Sequence, residues 1–201
     1  MSTSIEIPKV PRKMVLEPLL SDQEFEDLCA ANSDIKFERT KEGVIVVNAP
    51  AGYGTGKGNA EIIYQLKAWL RKHRRGDVID SSTGIFLPDS SSLSPDAAYI
   101  TAEQAATLTS EDEKHFLSFV PAFVLELRSE TDNLFDLKTK MEKWIANGAQ
   151  LAWLVDPKSR SVHVYEAGKK PRIETGDTVS GAGPVEGFIL DLNEVLSNYQ
   201  K

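Results

Sequence analysis

Cysteine is all but absent: Cys29 stands alone among 201 residues. A single thiol excludes an intramolecular disulfide and any cysteine-based metal cluster, and it fits a reducing cytoplasm. Long apolar runs are missing as well. None approaches the roughly 18 residues of a membrane span, so no membrane partner is expected. The opening stretch MSTSIEIPKVPRKM has no apolar segment of the kind a secretory signal needs. The three histidines, His73, His115 and His163, show no zinc-ligand spacing. No G-x-S-x-G elbow surrounds Ser81-Ser82-Thr83 or Ser90-Ser91-Ser92, which argues against a serine hydrolase. Positive charge is in deficit, with 23 Lys and Arg against 30 Asp and Glu, a net charge of −7. Proteins that grip nucleic acid mainly through its phosphates are usually basic. Tight non-specific DNA binding is therefore disfavoured, while a local basic face beside a bound metal is not.

The length suits one domain with short extensions, and such a chain buries a core without staples. Residues 1–18 hold three prolines and scattered charge, and read as an extended arm preceding a domain over 19–201. Ser21, with Glu24 three residues on, predicts a capping box and a helix to about Ala31. Ile35–Arg39 and Val44–Asn48 read as strands joined by the turn Thr40-Lys41-Glu42-Gly43. The glycine-rich segment 51–58 reads as a loop. Its Lys57 is followed by Gly58 rather than Ser or Thr, so it lacks the phosphate-loop pattern.

A helix is predicted from about Asn59 to Arg74, with Ile62, Leu66, Trp69 and Leu70 as its apolar stripe. Its end is basic, from Lys67 through Arg71 and Arg74 to Arg75. Either a solvated helix end or a nucleic-acid contact accounts for that cluster. Val78–Ser81 and Gly84–Leu87 are expected to pair with each other. A polar loop, 89–94, then leads to a strand at Asp96–Ile100. After a short helix near 102–108 comes Ala122–Leu127, an apolar run that suits a central strand buried on both faces. Helix Leu134–Asn147 follows, capped by Asp132 or Asn133, and then a hairpin of Ala152–Val155 with Val162–Tyr165. Weaker strands near Arg172 and Phe188 and a last helix at Leu192–Ser197 complete the order. Such an order suits an α/β fold with a mixed central sheet flanked by helices.

The residues that carry chemistry are acidic. Asp96 opens a strand directly after Pro95. Glu126 lies inside an apolar strand, where an ionised, unpaired carboxylate is costly. It needs a cation, a hydrogen-bond network or an edge position, and Arg128, two residues on, is one candidate partner. Two carboxylates plus the backbone carbonyl of Leu127 form a hard oxygen set suited to Mg²⁺, with Mn²⁺ as a second choice. Such an ion activates water and polarises a phosphoryl oxygen. A lysine on the following helix would position that water. Lys140 flanks the Leu137, Met141, Trp144 stripe, but periodicity alone does not separate it from Lys138. Arg128 is a poor general base and a good clamp for phosphate or carboxylate.

Four blocks, Ser94-Pro95-Asp96-Ala97-Ala98, Phe123–Ser129 (FVLELRS), Lys140–Gly148 (KMEKWIANG) and Trp153–Pro157 (WLVDP), resemble in order and spacing the Uma2 family of restriction-endonuclease-like proteins. The likeness runs from about residue 20 to 195. It implies the PD-(D/E)xK nuclease fold, with metal ligands at Asp96 and Glu126. Arg128 stands where the motif usually has lysine, and the working lysine of the family matches Lys140. Asn59 matches a polar position facing the same cleft, with Glu61 nearby. Lys57, Arg71 and Arg74 are the expected substrate contacts.

The activity expected is Mg²⁺-dependent endonucleolytic hydrolysis of DNA, by a homodimer that cuts both strands. Two alternatives stay open: a non-catalytic interaction protein on a nuclease scaffold, and a metal-dependent hydrolase of RNA or another phosphodiester.

Overall fold

The computed structural model describes residues 13–73 and 76–197. In chain order the elements are β1 (Lys13–Val15), α1 (Asp22–Ala31), β2 (Lys36–Arg39), β3 (Val44–Asn48), α2 (Tyr53–His73), β4 (Asp77–Asp80), β5 (Ile85–Phe86), β6 (Ser92–Leu93), β7 (Ala97–Ile100), α3 (Ala102–Ala105), β8 (Phe123–Leu127), α4 (Leu134–Ala146), β9 (Leu151–Asp156), β10 (Ser161–Glu166), β11 (Arg172–Thr175), β12 (Thr178–Ser180), β13 (Ile189–Asp191) and α5 (Leu192–Leu196).

A six-stranded sheet, ordered β11-β10-β9-β8-β7-β4, forms the centre. Only β8 and β9 run parallel, and α4 makes the crossover between them. Parallel neighbours need such a crossover, and it packs the intervening helix onto the sheet. Side chains alternate faces along each strand, and the core divides accordingly. Ile62, Leu66, Trp69 and Leu70 of α2 pack with Ala97, Tyr99, Phe123, Leu125 and Trp153 on one face. Met141 and Trp144 of α4 pack with Ala98, Ile100, Val124, Ala152 and Leu154 on the other. Every residue of β8 is buried, as expected of a strand covered on both sides.

A second sheet, β1-β3-β2-β6-β5, is joined to the first through Ser94 and Pro95. Ile85, Leu87 and Leu93 from this region extend the core on the α4 face. The segment expected as an extended arm is extended at its end, where Lys13–Val15 pairs with β3; its residues 1–12 lie outside the described residues.

Local signals explain several boundaries. Ser21 and Glu24 close the capping box of α1, and Asn133 caps α4 by accepting from the N–H of Phe135. Gly43 takes φ +79° in the β2–β3 turn, a conformation glycine adopts without the Cβ penalty.

Two expectations are corrected. The strands 77–80 and 85–86 do not pair with each other: β4 pairs with β7, and β5 with β6. The carboxylate of Asp80 accepts from the N–H and Oγ of Ser82 at 2.9 and 2.6 Å, and this side-chain turn takes the chain out of the central sheet. The glycine-rich segment is not all loop, because α2 begins at Tyr53 and includes Gly54, Gly56 and Gly58. Each glycine costs about 1 kcal/mol relative to alanine in a helix. Burial of Thr55 and Gly58 on its inner face ties this first stretch to the protein.

Candidate active site

Pairing between β7 and β8 brings the two acidic residues together. Ala97 lies opposite Leu125 in this antiparallel register, and continuing it by one residue sets Asp96 opposite Glu126. One further step sets Pro95 opposite Leu127. Proline has no N–H to continue the ladder, so it offers no donor to the carbonyl of Leu127. The N–H of Leu127 goes instead to Asp96 Oδ2, at 2.8 Å.

Glu126 is buried, on the α4 face. Its Oε1 accepts from Lys140 Nζ at 2.8 Å and from Trp144 Nε1 at 3.3 Å. These two donors stand one helical turn apart, the spacing that puts side chains on one face. Glu126 is therefore not paired with Arg128. The sequence also left out a partner: Glu38, on β2, whose Oε1 lies 2.9 Å from Lys140 Nζ. The same oxygen of Glu38 accepts from the N–H of Ser94, and the carbonyl of Ser94 accepts from Lys140 at 2.9 Å. Three acceptors thus surround an ammonium that has three protons to give.

The electrostatics follow from burial. Desolvation pushes the carboxyl of Glu126 up to about 7, against the pull of Lys140 and with the added repulsion of Asp96 and Glu38. Glu38 is also penalised by burial, but the nearby Lys140 outweighs this and holds it below the ordinary carboxylate range. Burial opposes the charge on Lys140, yet the two glutamates raise its pKa well above the usual lysine value. Lys140 is a firmly held ammonium here, with no lone pair to offer as a base. One ammonium is shared by two carboxyl groups, and Asp96 beside Glu126 adds to the negative potential there.

Among the described residues, no three His, Cys, Asp or Glu side chains are disposed to hold a metal by themselves. The oxygen set still fits a hard divalent ion that keeps part of its water. Asp96 Oδ1 and Glu126 Oε2 accept no hydrogen bond from the described residues, and the Leu127 carbonyl faces a residue without an N–H.

The other sequence candidates lie apart from this cluster. Arg128 Nη1 is 3.1 Å from both oxygens of the buried Asp156, and its Nε donates to the carbonyl of Asp132. It is thus committed to a structural carboxylate rather than to Glu126. Lys138 lies near His163, which burial, then Lys138, hold below the usual histidine value. Asn59, Lys57 and Arg71 belong to α2, which packs on the opposite face of the sheet. The contacts that join the cluster come from β2, β8, α4 and the Ser94–Asp96 segment. Asn59 Oδ1 is buried with no hydrogen-bond partner among the described residues, and Glu61 accepts from Gln65. Arg74 lies outside the described residues.

Glu38 had one faint signal in the sequence, a charged pair, Glu38-Arg39, within a strand. Both are buried. Arg39 is held by Asp22, by the carbonyl of Leu20 and by the rings of Phe25 and Phe86.

Comparison with known proteins gives the arrangement its context. No curated protein matches the chain. Among solved structures, the chain superimposes on the crystal structure of "a putative nuclease belonging to DUF820" from Anabaena variabilis ATCC 29413. The TM-score is 0.72 at 15% identity, over 89% of this chain and 98% of that one. At that identity the likeness speaks to the fold, which is restriction-endonuclease-like. A family profile described as "Putative restriction endonuclease" matches residues 22–193. With most of its length inside that match, the chain belongs to the Uma2 family.

Proposed function

We propose that the chain is a divalent-metal-dependent endonuclease that hydrolyses phosphodiester bonds in DNA. One observation carries this reading: Asp96 and Glu126 sit side by side with Glu38 close behind, and among the described residues Lys140 is the one cation within ion-pair distance of the two glutamates. A protein gains no stability from crowding buried carboxylates beyond its counter-charge. An external cation resolves the excess. Mg²⁺ is the expected ion and Mn²⁺ its substitute, held by Asp96, Glu126 and the carbonyl of Leu127. When bound, such an ion supplies an activated water and stabilises charge on the scissile phosphate.

The protein's own residues supply the rest. Lys140 fixes the rotamer of Glu126 and offsets its charge, a positioning role in place of the expected base. Trp144 fixes the same carboxylate from the side away from solvent. Lys57 and Arg71 contribute positive charge on α2 for the polyanion, and the shortage of other basic surface favours weak or selective binding over tight non-specific binding. A homodimer supplies the two sites that a double-strand cut requires. The single thiol suits the cytoplasm, and no helix among the described residues is long and apolar enough to cross a membrane. Residues 19–201 form the catalytic unit, preceded by the arm.

The test is cleavage of supercoiled and single-stranded DNA with Mg²⁺ or Mn²⁺ by wild type, Asp96→Asn and Glu126→Gln. Metal-dependent cleavage that disappears in both variants is the expected result. Absence of cleavage by wild type would favour the interaction-protein reading, which the locked Arg128 and the fully engaged Lys140 already support. Cleavage of RNA but not DNA would move the substrate and keep the site.

A further inference from the structure

The outer face of α2 departs from the acidic character of the chain. At 3.6 residues per turn, Tyr53, Lys57, Ala60, Tyr64, Lys67 and Arg71 fall within about 40° of one line along the helix. They lie opposite Ile62 and Leu66, which are fully buried. Tyr53 is 86% exposed and Tyr64 66%. Lys57 and Arg71 are exposed and Lys67 is half-buried. No acidic residue falls within the line; Glu61, on its flank, accepts from Gln65 at 2.9 Å. From Tyr53 to Arg71 the stripe runs about 27 Å at 1.5 Å per residue.

We propose that this stripe is a track for a single strand of DNA. The two phenol rings stack on bases, and Lys57, Lys67 and Arg71 take phosphates between and beyond them. Alternation of aromatic rings and cations is how sequence-tolerant single-strand sites work, because every base presents a flat face and every nucleotide a charge. A duplex offers the charges but keeps its base faces stacked internally, so it gives exposed rings nothing to stack on.

The proposal deepens the endonuclease reading and rests on it for the fate of the bound strand, whereas the binding itself does not. Binding is measured by fluorescence anisotropy of a labelled oligothymidylate of about 20 nucleotides, in EDTA so that no cleavage intervenes. Wild type should bind it in preference to a duplex of the same length. Tyr53→Ala and Tyr64→Ala should each weaken binding about fivefold or more, and Tyr64→Phe should retain it. Circular dichroism and melting confirm that these surface variants fold. Undetectable binding by wild type at low salt, a preference for duplex, or alanine variants that bind like wild type would overturn the track. Strand binding that responds to the tyrosines in a protein that never cleaves DNA would remove the nuclease reading and leave the track standing. Cleavage with tyrosine-independent binding would do the reverse.

Discussion

Lys140 Nζ lies 2.9 Å from Glu38 Oε1, tying the helix after β8 to a strand near the start of the chain. With Glu126 Oε1 at 2.8 Å on the same ammonium, the contact makes one lysine the hinge between the two sheets. Its removal should be felt by the whole fold, because both carboxylates are buried and, among the described residues, neither has another cation within an ion-pair distance.

Lys140→Met should therefore destabilise the protein by about 3–5 kcal/mol, the cost of leaving buried charge uncompensated. Adding Glu38→Gln and Glu126→Gln to it should recover most of that loss. Urea unfolding of the three proteins, wild type included, measures both effects. A Lys140→Met protein with the wild-type midpoint would show that the cluster is not ionised as described.

The pH dependence has a defined sign. The ordinary value for Glu126 is 4.5, and in the fold burial raises it to about 7. Between these values the folded state keeps a proton that the unfolded chain has released, so this group makes stability fall as pH rises through that window. Glu38 acts in the opposite sense: held low by Lys140, its contribution is present above 4.5 and is lost as pH falls through its folded value. Thermal melts in EDTA at pH 5 and pH 7.5 should show Glu126→Gln gaining stability relative to wild type at the higher pH. An unchanged difference between the two proteins would refute the raised carboxyl.

Arg128 and Asp156 should behave as a coupled structural pair. Asp156 is 2% exposed and also accepts from the N–H of Lys158 and from Ser159 Oγ. Arg128→Ala should cost about 2–3 kcal/mol by leaving that carboxylate without its cation. A double-mutant cycle with Asp156→Ala should return a coupling of about 1–3 kcal/mol. Strict additivity would place Arg128 elsewhere in solution.

Divalent ions should stabilise the folded protein whether or not it cuts DNA. At a concentration 100 times its dissociation constant, a ligand bound only by the native state adds about 2.7 kcal/mol. Mn²⁺ should raise the melting temperature of wild type, and Asp96→Asn should abolish the rise while keeping the fold. Ca²⁺ should shift the melting temperature with no cleavage. Equal shifts in wild type and variant would place the ion elsewhere.

Much of this molecule was legible in advance because its signals are local. Capping at Ser21 and Asn133, the turn at Gly43, the apolar run of β8 and the periodic stripe of α4 depend on neighbours a few positions away. The resemblance carried by Pro95-Asp96, Glu126 and Lys140 added which of those elements carry chemistry. The glycine-rich start of α2 was misread because propensity and burial conflict there, and burial of Thr55 and Gly58 prevailed.

By itself, the sequence determined the class of elements, the acidic strand residues and the want of any disulfide or zinc framework. Tertiary structure alone decided that Glu38 joins the cluster, that Arg128 belongs to Asp156 and that β4 pairs with β7. The physical reason is that strand register and ion pairing link residues far apart in sequence. A buried charge reveals that it needs a partner, but only the folded chain brings that partner within about 3 Å.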